Sequence, residues 1–358
     1  MKARNAIDLD NPATYRSLDR QDMLKRISAF PSLCRQAWDM AVQFALPDNF
    51  SDIDKVVVLG MGGSAIGGDL VGALTLAESH VPVFVCRSYS LPAFVNDRTL
   101  VVASSYSGNT EETLACFEQS LNTMARKLAM TTGGKLKELA DSRNIPVFSY
   151  NYKSQPRAAL PFSFMPLLCF MKKLGFLRVQ DSDIDEMFSA LREQQDGIGE
   201  NVPLANNEAK KIARDLQGRL AVIYGAEAVA EAAHRWKTQI NENSKAWAFY
   251  EVFPEMNHNS VVGYEFPPEI NNRVLVIMLA SSFFTPRVQL RYEIVSRMLQ
   301  KANIDFRTVH GCGKTRLSEM MSLVLLGDYI SYYLALLNHT DPTPVRTIDY
   351  LKEKLAGK

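Results

Sequence analysis

From residue 55 onward the chain alternates short apolar runs with longer amphipathic stretches. The first run, Val56-Val57-Val58-Leu59, is unbroken and ends in glycines, which is typical of a strand buried on both faces of a sheet. Further β-rich runs follow at residues 81–85, 100–103, 128–131 and 146–150. Because helical patterns such as residues 109–121 separate these runs, the sequence predicts a doubly wound parallel α/β sheet.

The same pattern then repeats in the second half of the chain. A buried strand at Leu220–Gly225 precedes a long helical stretch that runs from Ala226 to Trp247, and two later strands are expected at residues 274–279 and 306–309. The sequence therefore predicts two α/β domains. We expect an N-terminal helical segment (1–50), a first domain (51–175), a surface helix and linker (176–200), a second domain (201–340) and a C-terminal tail (341–358).

The charge balance limits the partners of the protein. The chain has 358 residues, 40 Lys and Arg against 39 Asp and Glu, and a formal net charge of +1. Such a chain has no general positive field for nucleic acid or a membrane surface, so we expect neither as a partner. An acidic ligand must then be bound by a local site.

The pattern of cysteines and the lack of a recognisable targeting signal lead us to expect a cytoplasmic protein. The five cysteines are scattered without zinc-ligand spacing, which is typical of buried thiols in a reducing compartment. Residues 1–6 lack the apolar core of a signal peptide. The most apolar window that we identify, residues 160–170, is too short to span a bilayer.

A glycine-rich loop, Gly60-Met61-Gly62-Gly63-Ser64-Ala65, follows the first strand. Glycines let the backbone approach a ligand, and the helix that follows offers free N–H groups, so the loop suits an anion. Taken alone it is compatible with a phosphate ester, a dinucleotide or simple glycine packing. A dinucleotide site would want an acidic residue after the second strand, where this chain has Arg87.

A second loop, rich in hydroxyls, follows the third strand. Ser104, Ser105, Ser107 and Thr110 surround Gly108. One helix cap needs one hydroxyl, whereas a phosphate accepts hydrogen bonds from several. Loops after the first and third strands flank the switch point where ligands bind parallel sheets. The pair resembles the sugar isomerase (SIS) domain, and that resemblance implies phosphate contacts at Gly62, Gly63, Ser64, Ser105, Ser107 and Thr110.

The second domain carries two polar segments that could hold catalytic groups. Glu242 lies between two asparagines at a predicted helix end, which could also be a solvated turn. His258 follows in Pro254-Glu255-Met256-Asn257-His258-Asn259, and a lone histidine is often structural. Although Glu255 and His258 have the spacing of a metal pair, no second cluster completes a site, so we expect no metal.

Six motifs between residues 60 and 352 together resemble the bifunctional phosphoglucose/phosphomannose isomerases. They are GMGGS, SYSGNTEET, PRAAL, NENSK, PExNHN and IDYLK. The resemblance implies two SIS domains, a homodimer with sites near the interface, a hexose 6-phosphate substrate and no cofactor. It also implies that Glu242 is the base, that His258 opens the sugar ring, that Arg157 lies beside the enediolate and that Lys352 lies near the ring oxygen. Lys354 is an alternative to Lys352.

Two questions stay open at this stage. In some family members a threonine seven residues before the tail lysine is associated with mannose 6-phosphate, and here that position is Val345, flanked by Thr343 and Thr347. Valine offers neither donor nor acceptor, so glucose 6-phosphate is the firmer substrate. In the family a neighbouring subunit supplies the histidine, and this sequence alone does not show which subunit donates His258.

The main hypothesis is therefore an aldose–ketose isomerase that works through a cis-enediol. The principal alternative is a non-catalytic sugar-phosphate sensor. The presence of two lobes argues against it, and so does the nearly neutral N-terminal segment, which has seven Lys and Arg and six Asp. An amidotransferase-type synthase and a nicotinamide-dependent dehydrogenase are further alternatives. The first needs a glutaminase domain with an N-terminal nucleophilic cysteine. For the second, Arg87 could suit a 2′-phosphate, but Ser64 at the helix start fits a direct phosphate contact better.

Overall fold

The structure, a computed structural model, describes residues 7–50 and 52–357. The expectation about residues 1–6 therefore lies outside the described residues. The chain forms two compact units. The N-terminal unit comprises residues 29–188 and 315–317, and the C-terminal unit comprises the described parts of 1–28, 189–314 and 318–358. These units differ in their limits from the segments expected from sequence, whose functional division stays a prediction.

The helices and strands of the first half of the chain are α1 (Pro12–Leu18), α2 (Met23–Ser28), α3 (Phe30–Gln43), β1 (Lys55–Leu59), α4 (Gly63–Thr75), β2 (Val83–Cys86), β3 (Thr99–Ser105), α5 (Glu111–Ser120), β4 (Arg126–Thr131), α6 (Gly134–Ser142), β5 (Val147–Ser149), α7 (Leu160–Lys173) and α8 (Asp181–Ile198). Those of the second half are α9 (Glu208–Leu216), β6 (Leu220–Ala226), α10 (Ala230–Ser244), β7 (Ala248–Phe253), β8 (Val274–Ala280), α11 (Pro286–Lys301), β9 (Phe306–His310), α12 (Arg316–Leu337) and α13 (Arg346–Ala356).

The sheet of the N-terminal unit has the order β2-β1-β3-β4-β5, and all of its neighbouring strands are parallel. Val56, Val57 and Val58 are buried, as expected for a strand covered on both faces. Because β1 and β3 are neighbours, with Leu59 opposite Ala103, the two loops that follow these strands start at the same edge of the sheet. This confirms the expected α/β fold class for the first domain.

The sheet of the C-terminal unit has the order β7-β6-β8-β9 and is also parallel. The sequence predicted β6, β8 and β9 but missed β7, because it extended the preceding helix to Trp247. Helix α10 in fact ends at Ser244, and β7 begins at Ala248. As an edge strand, β7 carries a charged residue, Glu251, among its apolar residues and so lacks the continuous apolar run of a central strand.

The segment 176–200, expected to combine a surface helix with a linker, consists mainly of the 18-residue helix α8. Its acidic first turn faces solvent, but Ile184, Met187, Phe188 and Leu191 are buried at helical spacing. The tail is helical too: α13 carries Lys352 and leaves Leu351 58% exposed.

The most membrane-like segment is α12 rather than residues 160–170. By length and composition this 22-residue helix could cross a membrane, but all of its apolar window is buried inside the protein. That burial is what a central core helix of an α/β domain shows. Helix α12, and not residues 160–170, is therefore the candidate for a membrane span, and its burial assigns it to the core instead.

Helix α12 holds α10 in place through a buried ion pair. Arg235 and Asp328 are 1% and 3% exposed, and the guanidinium donates Nε and Nη2 to the two carboxylate oxygens at 3.1 and 2.9 Å. At the next residue of α10, the indole of Trp236 donates to the Leu323 carbonyl at 2.7 Å. These contacts fix the helix that carries Glu242 near its end.

Replacing Asp328 by alanine should destabilise the protein by about 3–5 kcal/mol, because it leaves the Arg235 guanidinium buried without its carboxylate. The matched control is Asp305→Ala, which removes the exposed partner of Arg219 and should cost less than about 1 kcal/mol. Urea unfolding measures both variants. Equal free energies of unfolding for the two variants would contradict the role assigned to the buried pair.

Candidate active site

The glycine-rich loop and the hydroxyl-rich loop of the N-terminal unit are joined directly. The backbone N–H of Tyr106, in the loop after β3, donates to Ser64 Oγ at the start of α4 at 3.1 Å. Gly62 lies just before α4 with a positive φ of 50°, a conformation that glycine adopts without strain. The start of α4 thus lies beside the serine-rich loop, where its peptide dipoles favour an anion. The N–H groups of Ser64 and Ala65 themselves donate to the Met61 and Gly62 carbonyls at 3.0 and 3.1 Å.

The hydroxyl groups of the second loop lie close to one another. Ser105 Oγ and Thr110 Oγ1 are 3.0 Å apart, and Ser107 Oγ accepts from the N–H of Asn109 at 3.2 Å. Ser105 is fully buried, Thr110 half-buried and Ser107 exposed. The loop therefore offers hydroxyls from a buried base to an exposed rim, beside the N-terminus of α5, where the peptide dipoles also favour negative charge.

Arg157 belongs to the same part of the N-terminal unit. It lies in the single helical turn Pro156–Ala159 and is 2% exposed. A side chain at Gly63 would come within 2.6 Å of the Pro156 carbonyl oxygen and 3.2 Å of the Arg157 Cα. Only a glycine at position 63 lets this turn approach the loop so closely. The structure thus brings together Gly63, Ser64 and the turn that carries Arg157.

Tyr106 is a residue whose role the sequence analysis did not identify. Its hydroxyl accepts from the N–H of Ser154 at 2.7 Å and lies 2.8 Å from the carbonyl of Tyr152. Tyr106 therefore ties the hydroxyl-rich loop to the segment that leads into Pro156 and Arg157. Its position inside the Ser-Tyr-Ser-Gly motif was the only sign in the sequence.

Glu242 lies in the last turn of α10 and is half-buried. The residues that follow it are held by α12. Asn243 Nδ2 donates to Ser331 Oγ at 2.9 Å, and Ser244 Oγ donates to the Ser331 carbonyl at 2.6 Å. Because these bonds are buried, Glu242 is carried on a helix end of fixed position rather than on the solvated turn that was one of the alternatives.

An open cleft of about 910 Å³ lies beside Glu242 within the C-terminal unit. Its walls come from the last two turns of α10, from the start of β7 and from residues between His339 and Ile348. This volume is in the range of sites for small ligands. Three basic residues, Lys237, Lys245 and Arg346, line the cleft together with the carboxylates of Glu242 and Asp341, which leaves a small excess of positive charge.

The two threonines beside Val345 have different surroundings. Val345 and Thr347 line the cleft together with Glu242. Thr343 is fully buried and is not among the described residues that line the cleft. Of the two threonines considered from sequence, Thr347 alone therefore offers its hydroxyl to a ligand in this cleft.

His258 lies outside the cleft. It is exposed at the end of the short helical turn Glu255–His258, and the described residues that line the cleft do not include it. The turn is secured next to the histidine, because Arg291 of α11 donates to Asn257 Oδ1 at 2.9 Å. The structure of one chain thus presents His258 on an exposed surface of the C-terminal unit.

Lys352 and Lys354 are both exposed on α13, and neither is among the described residues that line the cleft. The ammonium of Lys354 lies 5.4 Å from the ring centre of Tyr350, a cation–π contact within the helix. Because both side chains are exposed, the choice between Lys352 and Lys354 stays a prediction.

In the C-terminal unit, carboxylates occupy the loops that correspond to the two loops of the N-terminal unit. Glu227 follows β6 with a positive φ of 46°, and its carboxylate accepts from Thr285 Oγ1 at 2.8 Å and from the Thr285 N–H at 3.3 Å. Glu319 accepts from the N–H of Ser282 at 3.0 Å and from the hydroxyl of Ser281. Because these carboxylates would repel a phosphate, the N-terminal unit is the better phosphate site.

Known proteins resemble this chain in the sequence of its C-terminal part and in the fold of nearly its whole length. Residues 205–355 match the model of the bacterial phospho-glucose isomerase C-terminal SIS domain. A solved structure of a hypothetical protein from Thermus thermophilus covers 97% of this chain and 93% of its own, with a TM-score of 0.72 at 16% identity. That likeness shows the fold of the chain.

Two curated relatives match nearly the whole chain. A bifunctional phosphoglucose/phosphomannose isomerase of Caldicellulosiruptor bescii is 41% identical over 335 residues, which is 93% of this chain and 99% of the relative. One of Aquifex aeolicus is 36% identical and covers 87% of this chain and 95% of its own length. Shared identity at this level over both domains shows that the chain belongs to the bifunctional phosphoglucose/phosphomannose isomerase family.

Proposed function

We propose that the protein interconverts glucose 6-phosphate and fructose 6-phosphate, and also converts mannose 6-phosphate, by moving one proton between C1 and C2. The observation that carries the proposal is a carboxylate on a fixed helix end, Glu242, beside a cationic cleft. Curated relatives of the chain are named as phosphoglucose/phosphomannose isomerases. The chain is accordingly an isomerase by family, and the assignment of residues to steps is our proposal.

In the proposed mechanism, Glu242 takes a proton from one carbon of the open-chain sugar and returns it to the next. A carboxylate can do both on one face of a cis-enediol, and the transfer needs no redox partner. Arg157 stabilises the charge of the enediolate, since a guanidinium keeps its proton at any working pH. His258 and Lys352 move the proton that opens the ring at its oxygen.

The phosphate ester is bound by Gly62, Gly63, Ser64, Ser105, Ser107 and Thr110. Their hydroxyls and the N–H groups at the start of α4 support this role, as does the occupation of the corresponding loops of the C-terminal unit by Glu227 and Glu319. The phosphate does not react, so its binding serves to align the sugar.

The proposed assembly is a homodimer in which each chain supplies His258 to its neighbour. The exposed position of His258, away from the cleft that Glu242 lines, supports this arrangement.

We also propose a cytoplasmic location, because the substrates are intermediates of central sugar metabolism and the cysteines are reduced. Cys34, Cys86, Cys116 and Cys169 are buried free thiols, and burial raises the pKa of the Cys116 thiol to about 12.

Mannose 6-phosphate should be turned over more slowly than glucose 6-phosphate. Valine at position 345 cannot form a hydrogen bond with mannose 6-phosphate, the C2 epimer of glucose 6-phosphate. In our proposal the nearby hydroxyl of Thr347 forms that bond instead. Separate coupled assays on the two sugar phosphates measure the ratio of kcat/KM. Faster turnover of mannose 6-phosphate, or none at all, would contradict the role given to Thr347.

Glu242→Gln should lower kcat by about 10²–10⁴-fold, because the amide has no basic oxygen to accept the proton. Binding of fructose 6-phosphate, measured by calorimetry, should stay within a few-fold of the wild type. Glu293→Gln, an exposed change on α11, is the control and should leave kcat unchanged.

Retention of wild-type turnover by Glu242→Gln would remove Glu242 as the base. If the wild-type protein binds fructose 6-phosphate but never isomerises it, the sensor hypothesis is correct instead.

Two inactive variants should complement each other within one dimer. A heterodimer of Glu242→Gln and His258→Ala chains, purified with two different tags, contains one site with both residues intact and should show about half of the wild-type activity. The corresponding homodimers should be inactive. An inactive heterodimer would mean that each chain uses its own His258, and failure to recover a doubly tagged species would rule out the dimer.

A further inference from the structure

We propose that Lys245 is a positioning residue for Glu242, an inference that rests on the function proposed above. The ammonium group of Lys245 joins the end of α10, which carries Glu242, to the segment before α13, which lines the same cleft. It would act by holding the carboxylate at the correct place for proton transfer rather than by touching the reacting atoms.

The backbone at Lys245 is the first observation. Lys245 ends α10 with a left-handed conformation, φ 52° and ψ 33°, and its N–H donates to the Ile240 carbonyl. Glycine is the usual residue at this position of a helix end, because a side chain there costs free energy. A lysine at this position is therefore unexpected unless its side chain compensates for the strained backbone.

The contacts of the ammonium group are the second observation. Lys245 Nζ donates to the carbonyl oxygen of Glu242 at 2.7 Å and to that of Pro342 at 2.8 Å, with a longer bond of 3.3 Å to Asn243. The carbonyls of Glu242 and Asn243 belong to the last turn of a helix, which has no further N–H groups to bind them. The bond to Pro342 spans 97 residues of sequence.

The position of these groups around the cleft is the third observation. Glu242, Lys245 and the segment Pro344–Ile348 line one cleft, and Pro342 lies two residues before that segment. The bond from Lys245 to Pro342 therefore sets the separation between the two parts of the wall. Proton transfer needs its groups within a few tenths of an ångström of the productive geometry, and a misplacement of 1 Å can cost about 100-fold in rate.

The remaining contacts of the helix end allow a test without loss of the fold. Asn243 and Ser244 bind Ser331 of α12, and the Asn338 amide donates to the Ser244 carbonyl at 3.2 Å. These buried bonds involve other side chains. Loss of the Lys245 side chain should therefore leave α10 folded while its last turn and the 342–348 segment move apart.

The experiment compares Lys245→Gly, Lys245→Met and Lys245→Arg. Lys245→Gly relieves the left-handed strain, so a purely structural role predicts a protein at least as stable and as active as the wild type. Our proposal predicts that the Gly variant keeps its Tm yet loses kcat by about 10–100-fold, with KM changed less than about threefold. The Met variant, which keeps the strained backbone without the hydrogen bonds, should lose kcat to a similar extent and have a lower Tm. Arginine, which can also donate to carbonyls, should restore most of the loss.

Lys301→Met is the matched control, because Lys301 is an exposed lysine in the last turn of α11 and is remote in sequence from the cleft segments. It should leave kcat unchanged. Wild-type kcat in Lys245→Gly, a loss confined to KM, or an arginine variant no better than methionine would overturn the proposal. If the wild-type protein shows no isomerase activity in the same assays, the proposed function fails, whereas the outcomes above overturn only the role of Lys245, so the two failures are distinguishable.

Discussion

The parallel pairing of β1 with β3 is the constraint on which the proposed phosphate site of this protein depends. It starts the glycine-rich loop and the hydroxyl-rich loop at one edge of the sheet, where the Tyr106 N–H reaches Ser64 Oγ. Glycine at position 63 then admits the turn that carries Arg157. The sheet order, the composition of the two loops and the absence of a side chain at Gly63 together concentrate hydrogen-bond donors in a small volume of the N-terminal unit.

The two units show how one architecture can carry different side chains at corresponding loops. Both place loops after two adjacent parallel strands, and both use a positive φ in the first of these loops, at Gly62 and at Glu227. In the C-terminal unit the carboxylate of Glu227 binds Thr285, so the negative charge is already supplied by the chain. That unit instead contributes the end of α10, which is anchored to α12 by the Arg235–Asp328 pair and by Ser331.

The sequence was sufficient for the central strands and for both loops, because strands buried on two faces and clustered glycines or hydroxyls are local signals. It was insufficient for β7, an edge strand without a continuous apolar run. It indicated a helix within 176–200 but not the buried side of α8, because the acidic first turn suggested a surface helix. The cleft could not be predicted at all, since Lys245 and Pro342 are far apart in sequence. Tyr106 was missed because its function is to bind backbone groups of a distant segment.

The most direct test of the account is a crystal structure of the protein with fructose 6-phosphate. The phosphate should lie within hydrogen-bond distance of the hydroxyls of Ser107 and Thr110 and of the N–H groups at the start of α4. A phosphate bound elsewhere on the chain, with both loops of the N-terminal unit unoccupied at saturating ligand, would contradict the account.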